Sequence, residues 1–69
     1  DVPTLVESAK KFLETELPSN LVEWNHVYKY LCKEHQLNNA NIINQIKPIL
    51  VLEGYRFLFF PMTQFIVHP

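Results

Sequence analysis

Three residues of one segment, His26, Cys32 and His35, are of types that ligate metals or perform nucleophilic chemistry, and Cys32 and His35 stand one helical turn apart. A structural zinc site takes four ligands, as a rule in two close pairs. The chain offers no second cysteine, and its remaining histidine, His68, lies far along the sequence, so no metal is expected. As a nucleophile and base, Cys32 and His35 lack an orienting third group, and no helix start or glycine-rich loop supplies an oxyanion site. A buried, inert thiol is the simpler reading of Cys32. Glu14 and Glu16 fall on different helix faces and are solvated charge rather than an acid–base pair. The chain has one glycine, no phosphate-binding loop and too little body to enclose a substrate pocket of ~300 Å3. It is expected to be no enzyme, with no catalytic residue, no cofactor and no small-molecule substrate.

Two sets of residues are suited to binding instead. Asn38, Asn39, Asn41, Asn44, Gln45 and Lys47 crowd one stretch, and Asn and Gln can pair bidentately with adenine in a major groove. Affinity for nucleic acid, however, comes mainly from phosphate contacts, ~6–10 of them in a typical complex. Six Lys and Arg are offset here by seven Asp and Glu, and only Lys47 and Arg56 fall near the amides. Asn41, Asn44, Gln45, Lys47 and Arg56 are therefore the residues of an alternative, nucleic-acid-binding reading, against which the amides simply cap and solvate a helix.

The second set is aromatic. In the run Tyr55-Arg56-Phe57-Leu58-Phe59-Phe60, strand alternation puts Arg56, Leu58 and Phe60 on one face and Tyr55, Phe57 and Phe59 on the other. Both faces are apolar. With five Phe, three Tyr and one Trp in 69 residues, one face of a small sheet is expected to look outward unless a partner covers it. Burial of one such ring contributes about 1.5–3 kcal/mol. Tyr55, Phe57, Phe59 and Phe65 are accordingly the candidate anchors for another protein or a second copy of the chain; the competing reading makes them ordinary core. The free edge of the last strand is a further place for a partner's strand to pair.

The elements that position these residues can be read from periodicity. Thr4 and Glu7 form a capping-box pattern, and Leu5, Ala9, Phe12, Leu13 and Leu17 share a helical stripe, predicting a first helix over 5–17 that Pro18 ends. The opposite face carries Glu7, Lys10, Lys11 and Glu14, with Glu7 and Lys11 in the favourable i,i+4 order. Leu21 to Trp24 reads either as a first helical turn capped by Asn20 or, preferably, as a short extended segment before a helix capped by Asn25. Trp24, Val27, Tyr28 and Leu31 then make the inward stripe of a second helix that runs to about His35, with Trp24 as a core wedge. Leu37 plugs the turn, and Asn39 or Asn41 caps the third helix, which holds Ile42, Ile43, Ile46, Ile49 and Leu50 and stops at Gly54. Pro48 inside that helix would collide with the carbonyl of Asn44, so a kink or break is expected near Lys47. Tyr55 to Phe60 and Phe65 to Val67 form a hairpin around Pro61-Met62-Thr63-Gln64. A strand over 49–52, giving a meander, is the alternative for that apolar run.

Three helices with a tight turn before the third, then a glycine and a hairpin, resemble the winged-helix branch of the helix-turn-helix superfamily. The resemblance rests on Val27, Tyr28 and Leu31, on Leu37, on Ile43, Ile46 and Leu50, and on Gly54-Tyr55-Arg56-Phe57. It implies a fold that is mostly α with a small β-hairpin, a single three-helix winged-helix-like domain (α-α-α-β-β) over 1–69. Such domains either bind DNA through the third helix and wing or join subunits of larger assemblies. The wing tip Pro61-Met62-Thr63-Gln64 has no basic residue, unlike wings that grip a phosphate backbone.

Composition bounds the rest. A net charge of -1 draws the domain to neither nucleic acid nor anionic lipid. No run nears the ~20 apolar residues of a membrane span, so no membrane partner is expected. The single cysteine fits a reducing compartment, and an intracellular, nuclear setting is the expectation. The sequence does not start with Met, as expected of a domain excised from a longer protein. The function expected is a non-catalytic interaction module of a larger assembly that binds another protein or itself.

Overall fold

In the computed structural model, which describes residues 1–16, 21–39 and 41–69, the elements run α1 (Val2–Thr15), β1 (Leu21–Glu23), α2 (Trp24–His35), α3 (Asn41–Asn44), α4 (Ile46–Leu52), β2 (Arg56–Phe60) and β3 (Thr63–Val67). The chain is thus a small helix-rich domain with a three-stranded antiparallel sheet of order β1-β3-β2, compatible with a winged-helix-like arrangement.

α1 starts earlier than its capping-box pattern predicts. The Asp1 carboxylate accepts from the Thr4 N–H at 2.9 Å and so caps the helix, leaving Pro3 in the first turn, where an amide hydrogen has no helical acceptor anyway. The helix ends at Thr15 rather than 17; the expected stop at Pro18 and the alternative Asn20 cap lie outside the described residues. Leu5, Val6, Ala9 and Leu13 form its buried stripe. Lys10 is not left to solvent as expected: its Nζ lies 2.6 Å from Glu53 Oε1 at the far end of α4 and 3.5 Å from Glu7.

Leu21–Glu23 is extended as expected, but it is also a strand, so the predicted hairpin is one strand short. α2 follows at once, entered from Glu23 with no side-chain cap rather than from Asn25. Trp24, Val27 and Leu31 face the core. The Asn39 side chain accepts from the Asn41 N–H at 2.9 Å and caps α3.

The third predicted helix is split in two, and the break comes at Gln45, two residues before Lys47. Pro48 supplies the reason. Restarting the helix at Ile46 makes Pro48 its third residue, so the absent N–H falls among donors with no intrahelical acceptor, and the clash with the Asn44 carbonyl is avoided. Ile49–Leu52 is helical, which overturns the alternative of a strand there.

α4 closes as its lone glycine requires. Gly54 has φ +102, its N–H reaches the Val51 carbonyl at 3.0 Å, and the Tyr55 N–H reaches the Leu50 carbonyl at 3.1 Å, the paired bonds of a Schellman motif. α2 also ends on a left-handed residue, Gln36 at φ 51, a conformation disfavoured for a residue with a Cβ, and there the Gln36 and Leu37 N–H groups both reach the Cys32 carbonyl, the latter at 3.1 Å.

The strand pairing moves one earlier expectation. The last strand, β3, has no free edge: it is central, with Ile66 opposite both Val22 and Phe57. Leu5, Leu13, Val27, Leu31, Ile43, Ile46, Leu50 and Ile66 are wholly buried, so the core lies between the helices and the sheet face that carries Ile66.

The two left-handed turns give opposite expectations. Gly54→Ala should cost about 1–2 kcal/mol, because φ +102 strains any Cβ and Pro69 would stand 3.0 Å from it. Gln36→Gly should add from a few tenths to about 1 kcal/mol, the relief of strain being offset in part by glycine's greater entropy loss. Urea unfolding midpoints measure both.

Candidate interaction surface

Strand register assigns every hairpin side chain to a face. Val22, Ile66 and Phe57 form one inward row, and Gln64 and Phe59 continue it toward the turn. The outward rows are Leu21, Val67 and Arg56; Glu23, Phe65 and Leu58; and Thr63 with Phe60. The helices cover the inward face alone. Leu21 (44% exposed), Leu58 (36%) and Phe60 (53%) therefore stand open on the outer face, and the Phe60 and Phe65 rings lie tilted against each other at 6.0 Å between centroids. At the hairpin end α4 reaches the inward row at Gln64, through Lys47, but leaves its neighbour Phe59 67% exposed.

The four expected anchors thus do not share a surface. Tyr55 is buried, with its ring 5.8 Å from that of His68. Phe57 is half-buried, set edge-on to Trp24 at 5.2 Å. Phe59 projects from the hairpin end, and Phe65 lies half-buried on the outer face. Leu58, Phe60 and Met62 were not among the expected anchors. Arg56 was the signal that could have found the first two, since a guanidinium at one end of an alternation marks the solvent side and Leu58 and Phe60 follow it with period two. An open depression of about 370 Å3 beside Phe65, bordered by Leu21, Glu23 and His26, extends the outer face toward α2.

The residues of the nucleic-acid reading are scattered. Asn41, Asn44 and Gln45 are exposed on α3 and the turn after it, whereas Arg56 sits on the opposite, outer side of the sheet. Lys47 turns inward. Its ammonium donates to Gln64 Oε1 at 2.7 Å and lies over the rings of Trp24 at 5.2 Å and Phe57 at 5.6 Å, which ties α4 to the sheet. Burial pushes the Lys47 pKa below its ordinary value of 10.5.

The residues first considered for chemistry are engaged separately. His35 Nε2 is 2.8 Å from Ser8 Oγ, His26 Nε2 is 3.3 Å from Glu23, and Cys32 is a half-buried free thiol. Among the described residues no three His, Cys, Asp or Glu side chains gather in a way that could hold a metal ion, and no helix is long and apolar enough to cross a membrane. No family model, no curated protein and no solved structure matches the chain.

Lys47 makes a pH-dependent contribution whose sign follows from its depressed pKa. Between that folded value and 10.5 the unfolded chain keeps a proton that the folded chain has released, so stability rises with pH across this window. Relative to Lys47→Met, which keeps an unbranched stem on the rings but does not titrate, the wild type should gain stability as pH rises toward 10.5. Paired urea titrations read this directly; a difference that stays flat over the window would mean that Lys47 titrates as it does in solvent.

Proposed function

We propose that the chain is a winged-helix-like, non-catalytic interaction module of a larger intracellular assembly, which binds another protein or a second copy of itself through its aromatic hairpin. The element order, with three helical regions interrupted by a short strand and followed by two longer ones, and the sheet order β1-β3-β2 support the winged-helix-like reading. The observation that carries the functional reading is the outer sheet face, where Leu21, Leu58 and Phe60 are open and Phe65 only half-covered, with Phe59 and Met62 projecting at its end. Apolar surface of this kind, contiguous and rimmed by Glu23, Arg56 and Thr63, is what a protein partner desolvates. Phe59 and Phe65 keep the anchoring role expected of them, joined by Leu58 and Phe60. Tyr55 and Phe57 act through the core, by holding the hairpin in place.

The alternative, a domain that reads nucleic acid with its third helix, has less support. Lys47 is spent on Gln64 and two rings, and Lys10 on Glu53 and Glu7.

Mass measurement by sedimentation, at low and high salt and with or without a short DNA duplex, tests the proposal. Association driven by the aromatic surface should survive added salt, because apolar burial is not screened, and should be lost in the double variant Phe59→Ala/Phe60→Ser. A monomer whose mass shifts with duplex, and does so less as salt is added, would overturn it.

A further inference from the structure

The sheet has two edges, and they are not alike. β1 is three residues long and ends in Glu23, whose carboxylate lies near His26. β2 is five residues long, contains neither proline nor lysine, and pairs with β3 residue for residue without a bulge. Of the devices by which exposed edges are blunted it has only one charge, Arg56, at its start.

The direction of its open backbone groups follows from the turn. Phe60 and Thr63 flank a two-residue loop and are directly opposite, so they form the closing hydrogen-bonded pair. Alternation then turns the amides of Phe60, Leu58 and Arg56 toward β3 and leaves the N–H and C=O of Phe57 and Phe59 pointing away from the sheet.

We propose that β2 pairs antiparallel with β2 of a second copy about a two-fold axis at Leu58, joining two three-stranded sheets into one of six. This rests on the interaction-module reading above and names the partner. Phe57-Leu58-Phe59 reads the same in both directions, so the axis sets Phe57 opposite Phe59 of the second copy, where both present open amides, and Leu58 opposite its own equivalent. The strand's one charge, Arg56, falls opposite Phe60 of the second copy rather than against another arginine, a cation over a ring in place of a repulsion.

The same operation accounts for the exposed apolar residues. Among the described residues seven large ones are open, of which Leu58, Phe59 and Phe60 lie on β2, Met62 in the turn after it, and Val51 and Leu52 in the last turn of α4, the element before it. Antiparallel pairing brings the hairpin end of one copy, with Met62 (88% exposed), toward the last turn of α4 in the other, with Leu52 (87% exposed). Together these six present on the order of 600–950 Å2 per copy, taking ~150–250 Å2 for a large side chain. Leu58 and Phe60 point to one face of the sheet and Phe59 to the other, so edge pairing covers only part of this area, less than the ~800 Å2 per partner of a standard interface. A reversible dimer with a dissociation constant at or above ~1 µM is therefore expected.

Sedimentation equilibrium from ~1 µM to ~1 mM, applied to the wild type, to Leu58→Lys, to Leu58→Glu and to an equimolar mixture of the two variants, tests the pairing. The wild type should dimerise with concentration. Each variant alone should be monomeric, since like charges meet at the axis, and the mixture should dimerise again with at least tenfold recovery of affinity. Leu58 is already open to solvent, and circular dichroism of each variant confirms that it is folded. Wild-type dimers that tolerate either charge overturn the edge pairing but leave self-association through the hairpin standing. A wild type monomeric throughout and indifferent to duplex overturns it and leaves a different protein as partner. A mass shift with duplex overturns the interaction-module reading itself.

Discussion

Ile66 is the residue on which the sheet depends. It is wholly buried, its strand is the central one in the order β1-β3-β2, and Val22 and Phe57 stand opposite it on either side. This row joins the sheet to the helical core, where Leu5, Leu13, Val27, Leu31, Ile43, Ile46 and Leu50 meet. Once Ile66 faces the helices, the period of two in a strand leaves no freedom to its neighbours: Phe65 and Val67 must point the other way, and with them Leu58 and Arg56 across the ladder. A body of this size has no second layer of helices to cover that side. The open apolar face is thus a consequence of burying Ile66, and a slip of one residue would exchange the two faces entirely.

The helices were legible because their signals are local. The Trp24, Val27 and Leu31 stripe, the Gly54 stop and the disturbance caused by Pro48 all depend on residues within a few positions of each other. What was not legible depends on partners distant in sequence. Nothing near Leu21–Glu23 states that it pairs with Phe65–Val67, more than forty residues on, and that pairing is what turns β3 from an edge into the centre of the sheet. The hairpin faces were ambiguous for a different reason. Tyr55, Phe57 and Phe59 are as apolar as Leu58 and Phe60, so hydrophobicity alone could not orient them, and only the isolated Arg56 breaks the tie. Even then a face is not a fate: Tyr55, Phe57 and Phe59 alternate correctly, yet Tyr55 is buried, Phe57 half-buried and Phe59 67% exposed, so the strand pattern alone does not decide burial.

The cations illustrate how tertiary structure redirects residues that look available. Lys10 is placed by its helix among solvated charges, but the approach of the α4 end brings Glu53 to it, and that hydrogen bond is the main reason its pKa is raised. Lys47 is drawn over Trp24 and Phe57 and onto Gln64, where loss of water outweighs the favourable contacts and its pKa falls. Opposite shifts on two lysines of ordinary sequence context show that their roles belong to packing. A phosphate-binding strip needs cations that are both clustered and unengaged, and these two are neither.

The hairpin turn bears on how the outer face is used. Right-handed twist favours two-residue turns with positive φ, yet Gln36 is the single non-glycine residue with positive φ among those described, so Pro61 and Met62 make an unprimed turn. Such a turn does not match the strand twist; near it Gln64 contacts Lys47 on one side of the sheet and the Phe60 and Phe65 rings lie against each other on the other. Stabilising residues were available at this position, as asparagine and glycine would relieve the mismatch without cost to the core. A proline and a largely exposed methionine instead extend the apolar surface past the last strand residues. The hairpin end therefore combines a turn that mismatches the strand twist with exposed apolar surface, contributed by Phe59 and Met62.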